Sequence, residues 1–327
     1  MCMKRTAILL AVFLLTACAR PSAVKSDAPQ TVTCPDSPAP TALSTESVPT
    51  EETVALDRSN CTPAPKRQPV PVEMRFRGKF SDTPVYGERS FKSRSVDIAI
   101  KTYTVRDTYA KLASYHVADI YLKDVTQIRA AAAGGDFGMR YESPVKEIAK
   151  SVGALLAIDG DTYARMKKSF VIRNGVVYRD TPIENTDLCV LYRDGRMETK
   201  RWGTFTAQEI IDADPWQVWG FGPALLDENG HAMEIEHALS DHNPRAAIGY
   251  YEPGHYCFVI VDGRDHGWSE GMRLSALSRL MEDLGCKAAY NLDGGDSAQM
   301  YWNGEIISKS RNETRVISDI IYILPEE

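Results

Sequence analysis

Along this chain the apolar positions fall into short runs separated by paired turn residues, and that spacing is the first structural signal. Around Asn174-Gly175, Asp194-Gly195 and Asn303-Gly304, the stretches 170–178, 188–199 and 299–307 are strand-like on both sides of the turn. Asn-Gly and Asp-Gly accept positive φ at both central positions, so each pair predicts a β-hairpin and antiparallel pairing. Helical periodicity is rarer. It predicts helices over 144–152, 207–213 and 274–284; in the last, Leu274, Leu277, Met281 and Leu284 share one face and Gly285 supplies the stop. The expected class is α+β: a single β-rich domain with a mixed, largely antiparallel sheet and a few packed helices.

Toward the N-terminus the pattern changes. Lys4 and Arg5 precede an apolar run over 7–15, followed by Thr16-Ala17-Cys18. The run is too short for a permanent membrane span, which needs about 20 residues, so 1–17 is expected to be a secretion signal. The small residues before Cys18 resemble a lipobox. Cys18 is then the expected lipidated first residue of the mature protein, tying it to the extracytoplasmic face of a cell membrane by a two-chain anchor. An ordinary secretory signal with an incidental cysteine is the bland alternative. Residues 18–69 are rich in Pro, Ser, Thr and Ala and poor in large apolar side chains. They cannot offset ordering entropy by burial, and are expected to form a disordered linker with a reach of roughly 35 to 45 Å. Regular apolar spacing begins near residue 70, which sets the expected domain at 70–327.

Composition narrows the field. The net charge is -6, and Lys and Arg are scattered rather than clustered, which sets nucleic-acid partners aside. No cysteine pair has metal-ligand spacing. Cys257 and Cys286 sit in apolar runs and are expected to be buried free thiols, whereas Cys34 and Cys61 could close a loop in the linker.

Candidate chemistry lies where short apolar runs end abruptly in Asp-Gly: at Asp159-Gly160, Asp262-Gly263 and Asp293-Gly294. None is followed promptly by a matching alternating strand, which favours sites over hairpin turns. Asn291-Leu292-Asp293-Gly294-Gly295-Asp296-Ser297-Ala298 stands out, because paired glycines let backbone amides approach a ligand while carboxylates and a hydroxyl flank them. The stretch lacks the Lys-Ser/Thr of a phosphate-binding Walker loop and the terminal Glu of an EF-hand. A divalent cation near Asp293 and Asp296 fits the carboxylates, although no cofactor is required.

Asn291-Leu292-Asp293-Gly294-Gly295, the helix before it, Val261-Asp262-Gly263-Arg264, Asn243-Pro244-Arg245-Ala246-Ala247-Ile248-Gly249 and Gly220-Phe221-Gly222-Pro223 occur together in one order. In this the chain resembles the phosphodiester glycosidase family over roughly 96–323. It departs from the family's pattern at Asp296, Ser297 and Ala298, where a third Gly and two Ser are usual, and at Asp159-Gly160, where Asn-Gly is frequent.

The resemblance implies hydrolysis of a sugar joined through its anomeric oxygen to a phosphodiester, with a carbohydrate phosphodiester as substrate. Such a site needs a carboxylate at the anomeric centre and cations on the phosphate. Asp293 is the first candidate for the catalytic carboxylate and Asp262 the second. Arg245 and Arg264 are the candidate phosphate clamps, because a guanidinium fork matches phosphate oxygens two at a time; either could instead be a structural ion-pair partner. Asp159, Gly294, Gly295, Asp296 and Ser297 are the remaining candidate substrate contacts, with Ser297 equally able to cap the next segment. His242 and His266 could relay protons or be solvated loop residues. Trp216, Trp219, Tyr250 and Tyr251 could stack on sugar or belong to the core. The competing reading is a non-catalytic glycan-binding surface lipoprotein.

Overall fold

The computed structural model describes residues 74–326 apart from 108–109, 167, 237–239, 310 and 313. The expected signal, Cys18, the linker with Cys34 and Cys61, and the boundary near residue 70 lie outside the described residues. Among those described, every strand pairing is antiparallel, so the antiparallel pairing that the hairpin signals predict extends to all the sheets and the parallel component of the expected mixed sheet does not appear there.

A seven-stranded sheet runs Val85–Gly87, Ser90–Lys92, Val96–Arg106, Leu112–Leu122, His255–Val261, Arg245–Glu252 and Ala288–Asn291 in spatial order. Two five-stranded sheets complete the core. One is ordered Met197–Lys200, Leu188–Tyr192, Pro215–Trp219, Ser169–Arg173 and Val176–Thr181; the other Glu305–Ile306, Met300–Trp302, Leu156–Asp159, Asp319–Ile323 and Arg129–Ala132. Ile98, Ile120, Phe258, Trp219, Tyr290, Met300 and Ile321, drawn from all three, form one buried cluster. Of the apolar runs that end in Asp-Gly, Leu156–Asp159 and His255–Val261 are central strands and Ala288–Asn291 is the edge strand of the seven-stranded sheet. All three are buried along nearly their whole length, which explains why they are continuous rather than alternating.

The three predicted hairpins form at their predicted turns. At Asn174-Gly175 and Asn303-Gly304 both residues take positive φ, whereas at Asp194-Gly195 only the glycine does, at 86°. There Tyr192 N–H reaches the Arg196 carbonyl and Gly195 N–H the Tyr192 carbonyl, a wider loop than the two-residue turn expected.

Helices form at Val145–Ser151, Ala207–Asp212 and Leu274–Asp283. The last buries Leu274, Leu277 and Met281 against Ala247, Val259 and Ala289 of the seven-stranded sheet, the burial of each of these three side chains being worth about 1.5–3 kcal/mol. Gly249 lets the helix sit this close: a Cβ there would fall 2.6 Å from both Cys257 Sγ and Met281 Cε. Cys257 and Cys286 are buried free thiols with sulfurs 3.8 Å apart, as their apolar settings predicted.

Candidate active site

Backbone hydrogen bonds bring separate strand ends to one place. Asp293 N–H donates to the Gly160 carbonyl at 3.1 Å, Leu292 N–H to Ala246 at 2.8 Å, and Gly295 N–H to Pro244 at 2.9 Å. The segments around Asp159, Arg245 and Asp293 are thus stitched together before any side chain acts. The segments around Arg245 and Asp293 border a cavity of about 380 Å³, whose lining includes Asn243, Arg245, Arg264, Asn291 and Asp293.

Phe221, Gly222 and Pro223, the latter two joined by a cis peptide bond, together with residues 185–187 supply further wall. They are held by Asn291 Nδ2, which donates to the Gly222 carbonyl at 2.7 Å, and by Tyr290, whose hydroxyl accepts from Phe221 N–H at 2.9 Å and donates to the Asp187 carbonyl at 2.6 Å.

Asp293 combines cavity access with burial. Burial raises its carboxyl above the usual range, while the Ser297 hydroxyl, the Gly294 N–H at 3.0 Å, and the charges of Arg315 and Arg165 favour its ionised form. Behind it, Asp159 is wholly buried and does not line the cavity. Its Oδ1 accepts from Gln299 N–H at 3.2 Å, whereas its Oδ2 has no hydrogen-bond partner among the described residues. Burial first, and the charge of Asp293 second, push the Asp159 carboxyl well above the usual range. The two carboxyls therefore differ: burial raises both, but Asp293 has donors and cations that favour its charge, whereas Asp159, with one oxygen unpartnered among the described residues and the charge of Asp293 beside it, is biased further toward its neutral form.

Two guanidinium groups face the same space. Arg245 is buried, with Nε donating to the Met272 carbonyl at 2.9 Å and Nη2 to the Asp241 carbonyl. Burial pushes it down to about 10, Asp241 opposing and Arg264 adding to the shift, so it remains a cation at neutral pH. Arg264 follows the strand His255–Val261 with φ 61° and is more exposed. Its Nη1 pairs with Asp296 at 2.9 Å and its Nη2 donates to Asn243 Oδ1 at 3.2 Å. Pre-positioned guanidinium groups beside a carboxylate can hold an anionic group against a reacting centre.

Several expected contacts are placed elsewhere. Asp262 does not line the cavity: its Oδ2 accepts from Trp268 Nε1 at 2.8 Å and contacts His116 Nε2 at 3.3 Å, and its Oδ1 accepts from Lys309 N–H at 2.9 Å. With both oxygens engaged inside the protein, it is a structural anchor. Gly294 and Gly295 do line the cavity, but their amides are spent on Asp293 Oδ1 and the Pro244 carbonyl, so they supply shape rather than donors. Asp296 is turned to Arg264, and Ser297 lies buried beneath Asp293, where its Oγ also accepts from Arg315 Nε at 3.4 Å.

His242 is held by Asp107 and Asp241, and His266 contacts Glu270; neither lines the cavity. Trp219 is core, and Trp216 donates from Nε1 to the Ile128 carbonyl at 2.7 Å. Tyr250 and Tyr251 are half-buried away from the cavity.

The floor of the site rests on a group that no local pattern announced. Arg173 lies fully buried between Asp161 and Asp319, 2.8 Å from each. Burial works against its charge, but the two carboxylates outweigh it and raise the guanidinium. Asp319 Oδ1 accepts from Asp161 N–H at 3.1 Å, and Asp161 Oδ2 accepts from Gly220 N–H at 3.2 Å, which fixes the strand end that precedes Asp293's partner loop. A charged residue closing an apolar strand, as Arg173 does after Phe170-Val171-Ile172, was the only available sign.

Comparison with known proteins bears on this arrangement. The sequence model described as phosphodiester glycosidase matches residues 152–324, more than half of the chain and all of the strand ends that build the cavity. The uncharacterized SPβ prophage-derived protein YomE of Bacillus subtilis is 25% identical over 201 residues, which make up 58% of this chain and 31% of that protein. The chain thus spans under a third of that relative's length. Among solved structures, the catalytic domain of zebrafish N-acetylglucosamine-1-phosphodiester α-N-acetylglucosaminidase, auto-inhibited by pro-peptide, superposes with a TM-score of 0.58 at 22% identity, covering 72% of this chain and 85% of that one. A hypothetical protein from Synechocystis superposes with a TM-score of 0.53 at 14% identity, covering 71% and 62%. These two likenesses concern the fold.

Proposed function

The chain belongs to the phosphodiester glycosidase family, and on that premise we propose that it hydrolyses a sugar-1-phosphodiester, releasing the free sugar and a phosphomonoester. The observation that carries this reading is the meeting of the Asp293 carboxyl with Arg245 and Arg264 in one cavity. In the reaction the bond between the anomeric carbon and the phosphate oxygen breaks, and its electron pair leaves with the phosphate. Water adds to the anomeric carbon. A phosphate monoester leaves readily, so the site needs less of the general acid that ordinary glycoside cleavage demands.

Arg245 and Arg264 hold the diester and neutralise the charge that grows on the departing phosphate. Asp293 stabilises the oxocarbenium-like carbon and takes the proton of the attacking water. Asp159, behind it, withholds a second negative charge from the site. The sugar lies toward Asp293 and Asn291, and the cavity wall formed by Phe221 and Pro223 limits water around it.

Full-length protein incubated with an N-acetylglucosamine-1-phosphodiester should yield N-acetylglucosamine and a phosphomonoester. Binding of that diester without turnover, across a panel of sugars, would replace this reading with a non-catalytic glycan-binding lipoprotein. The location rests on the Leu15-Thr16-Ala17-Cys18 motif: the enzyme acts outside the cytoplasm, lipid-anchored at Cys18, on cell-envelope or imported glycans. Mass spectrometry of the mature N-terminus checks this, and an unmodified Cys18 rules the anchor out.

A further inference from the structure

Beside the main cavity lies a second one of about 280 Å³, lined by Gly263, Arg264, Asp265, His266, Trp268, Lys309 and Arg311. Arg264 borders both. The second cavity is cationic in a chain whose net charge is -6: Arg264, Lys309 and Arg311 line it against a single carboxylate, Asp265. Neither Lys309 nor Arg311 is ion-paired among the described residues, and both are exposed. Lys101, Lys123, Lys150 and Lys287 are also exposed cations, but each lies apart from this cavity; here two such cations line it together with Arg264.

The cavity is also built rather than incidental. Buried Asp262 fixes two of its elements at once, accepting from Trp268 Nε1 at 2.8 Å and from Lys309 N–H at 2.9 Å. Lys309 Nζ is held 3.7 Å from the centre of the Trp268 ring. The segment carrying Lys309 and Arg311 is tied down farther on, where Gln299 Nε2 donates to the Asn312 carbonyl at 3.2 Å. Two exposed cations thus line the same cavity as Arg264, the guanidinium that also borders the main one.

We propose that this second cavity is the subsite for the group on the far side of the diester, and that this group carries its own phosphate. The inference rests on the glycosidase reading and narrows it: the preferred substrates are anionic chains in which phosphate recurs, rather than a single diester between neutral sugars. In this arrangement Arg264 meets the diester that is cut, and Lys309 with Arg311 meet the next phosphate along.

The test compares two diesters with full-length protein: N-acetylglucosamine 1-phosphate esterified to glycerol, and the same compound with a second phosphate on the far glycerol hydroxyl. The wild type should prefer the second in kcat/KM, and Lys309→Ala with Arg311→Ala should reduce that preference about tenfold, the scale expected for two exposed charge contacts. Equal kcat/KM for the two diesters in the wild type, or a preference untouched by the double substitution, would overturn the subsite while leaving the glycosidase reading intact. Turnover of neither diester counts against the glycosidase reading instead. In that event calorimetric titration with pyrophosphate decides the subsite: affinity about tenfold weaker in the double variant supports it, and equal affinity overturns it.

Discussion

The N–H of Asp293 donates to the carbonyl of Gly160 across 3.1 Å, and this bond joins the ends of two strands that belong to different sheets. It sets the carboxyl that faces the cavity directly in front of the one that does not. Replacing Asp293 with Asn keeps the shape and the Gly160 bond but removes the charge. We expect kcat to fall by about a thousandfold, the scale of a lost general base, with the unfolding midpoint close to wild type. Unchanged turnover would remove Asp293 from the mechanism.

The buried carboxyl of Asp159 should be visible in stability. Its proton is held well above the ordinary value of 3.8. As pH rises past that value, the unfolded chain releases this proton and the folded one retains it, so the folded state loses stability until its own carboxyl ionises. Urea unfolding measured from about pH 4 to about pH 8 should therefore show a declining contribution from this site. Asp159→Asn should flatten that decline. Identical pH slopes in the two proteins would contradict the protonated assignment.

Arg245 should not tolerate the other basic side chain. Its Nε and Nη2 donate to the Met272 and Asp241 carbonyls, a two-point hold on a planar guanidinium that an ammonium group cannot reproduce. Arg245→Lys should lower kcat/KM about a hundredfold, comparable with the loss of one oxyanion donor. Near wild-type kcat/KM in this variant would show that charge alone suffices.

Removing the buried cation should be costly for the fold. Arg173→Met leaves Asp161 and Asp319 uncompensated, and breaking a buried pair in this way costs about 3–5 kcal/mol. Adding Asp161→Asn and Asp319→Asn should restore part of the loss in a denaturant titration. If the single variant is as stable as wild type, the triad does not hold the floor of the site.

What was legible in the chain was local. Asn174-Gly175 and Asn303-Gly304 declare their turns through backbone conformations few other pairs accept, and Leu274, Leu277 and Met281 declare their face by spacing alone. Whether Asp159, Asp262 and Asp293 share a site was not local, since three similar strand ends meet different surroundings. Asp262 is claimed by Trp268 six residues on and by Lys309 forty-seven residues on. The Gly294 and Gly295 amides looked available because nothing in their neighbourhood shows that Asp293 and Pro244 take them. Asp161, Arg173 and Asp319 become a group only when three distant segments are packed together.

That triad also sets how long the site lasts. The amide hydrogens of Asp161 and Gly220 are each held by a carboxylate that is itself locked to or beside Arg173, with no solvent-facing edge from which the floor could fray. The amides of Asp161 and Gly220 are therefore expected to exchange with solvent only when the core around Arg173 opens, which hydrogen exchange would check. Heat inactivation and global unfolding should accordingly run on one clock, and a preparation that has lost activity on warming has lost its fold rather than the shape of its pocket.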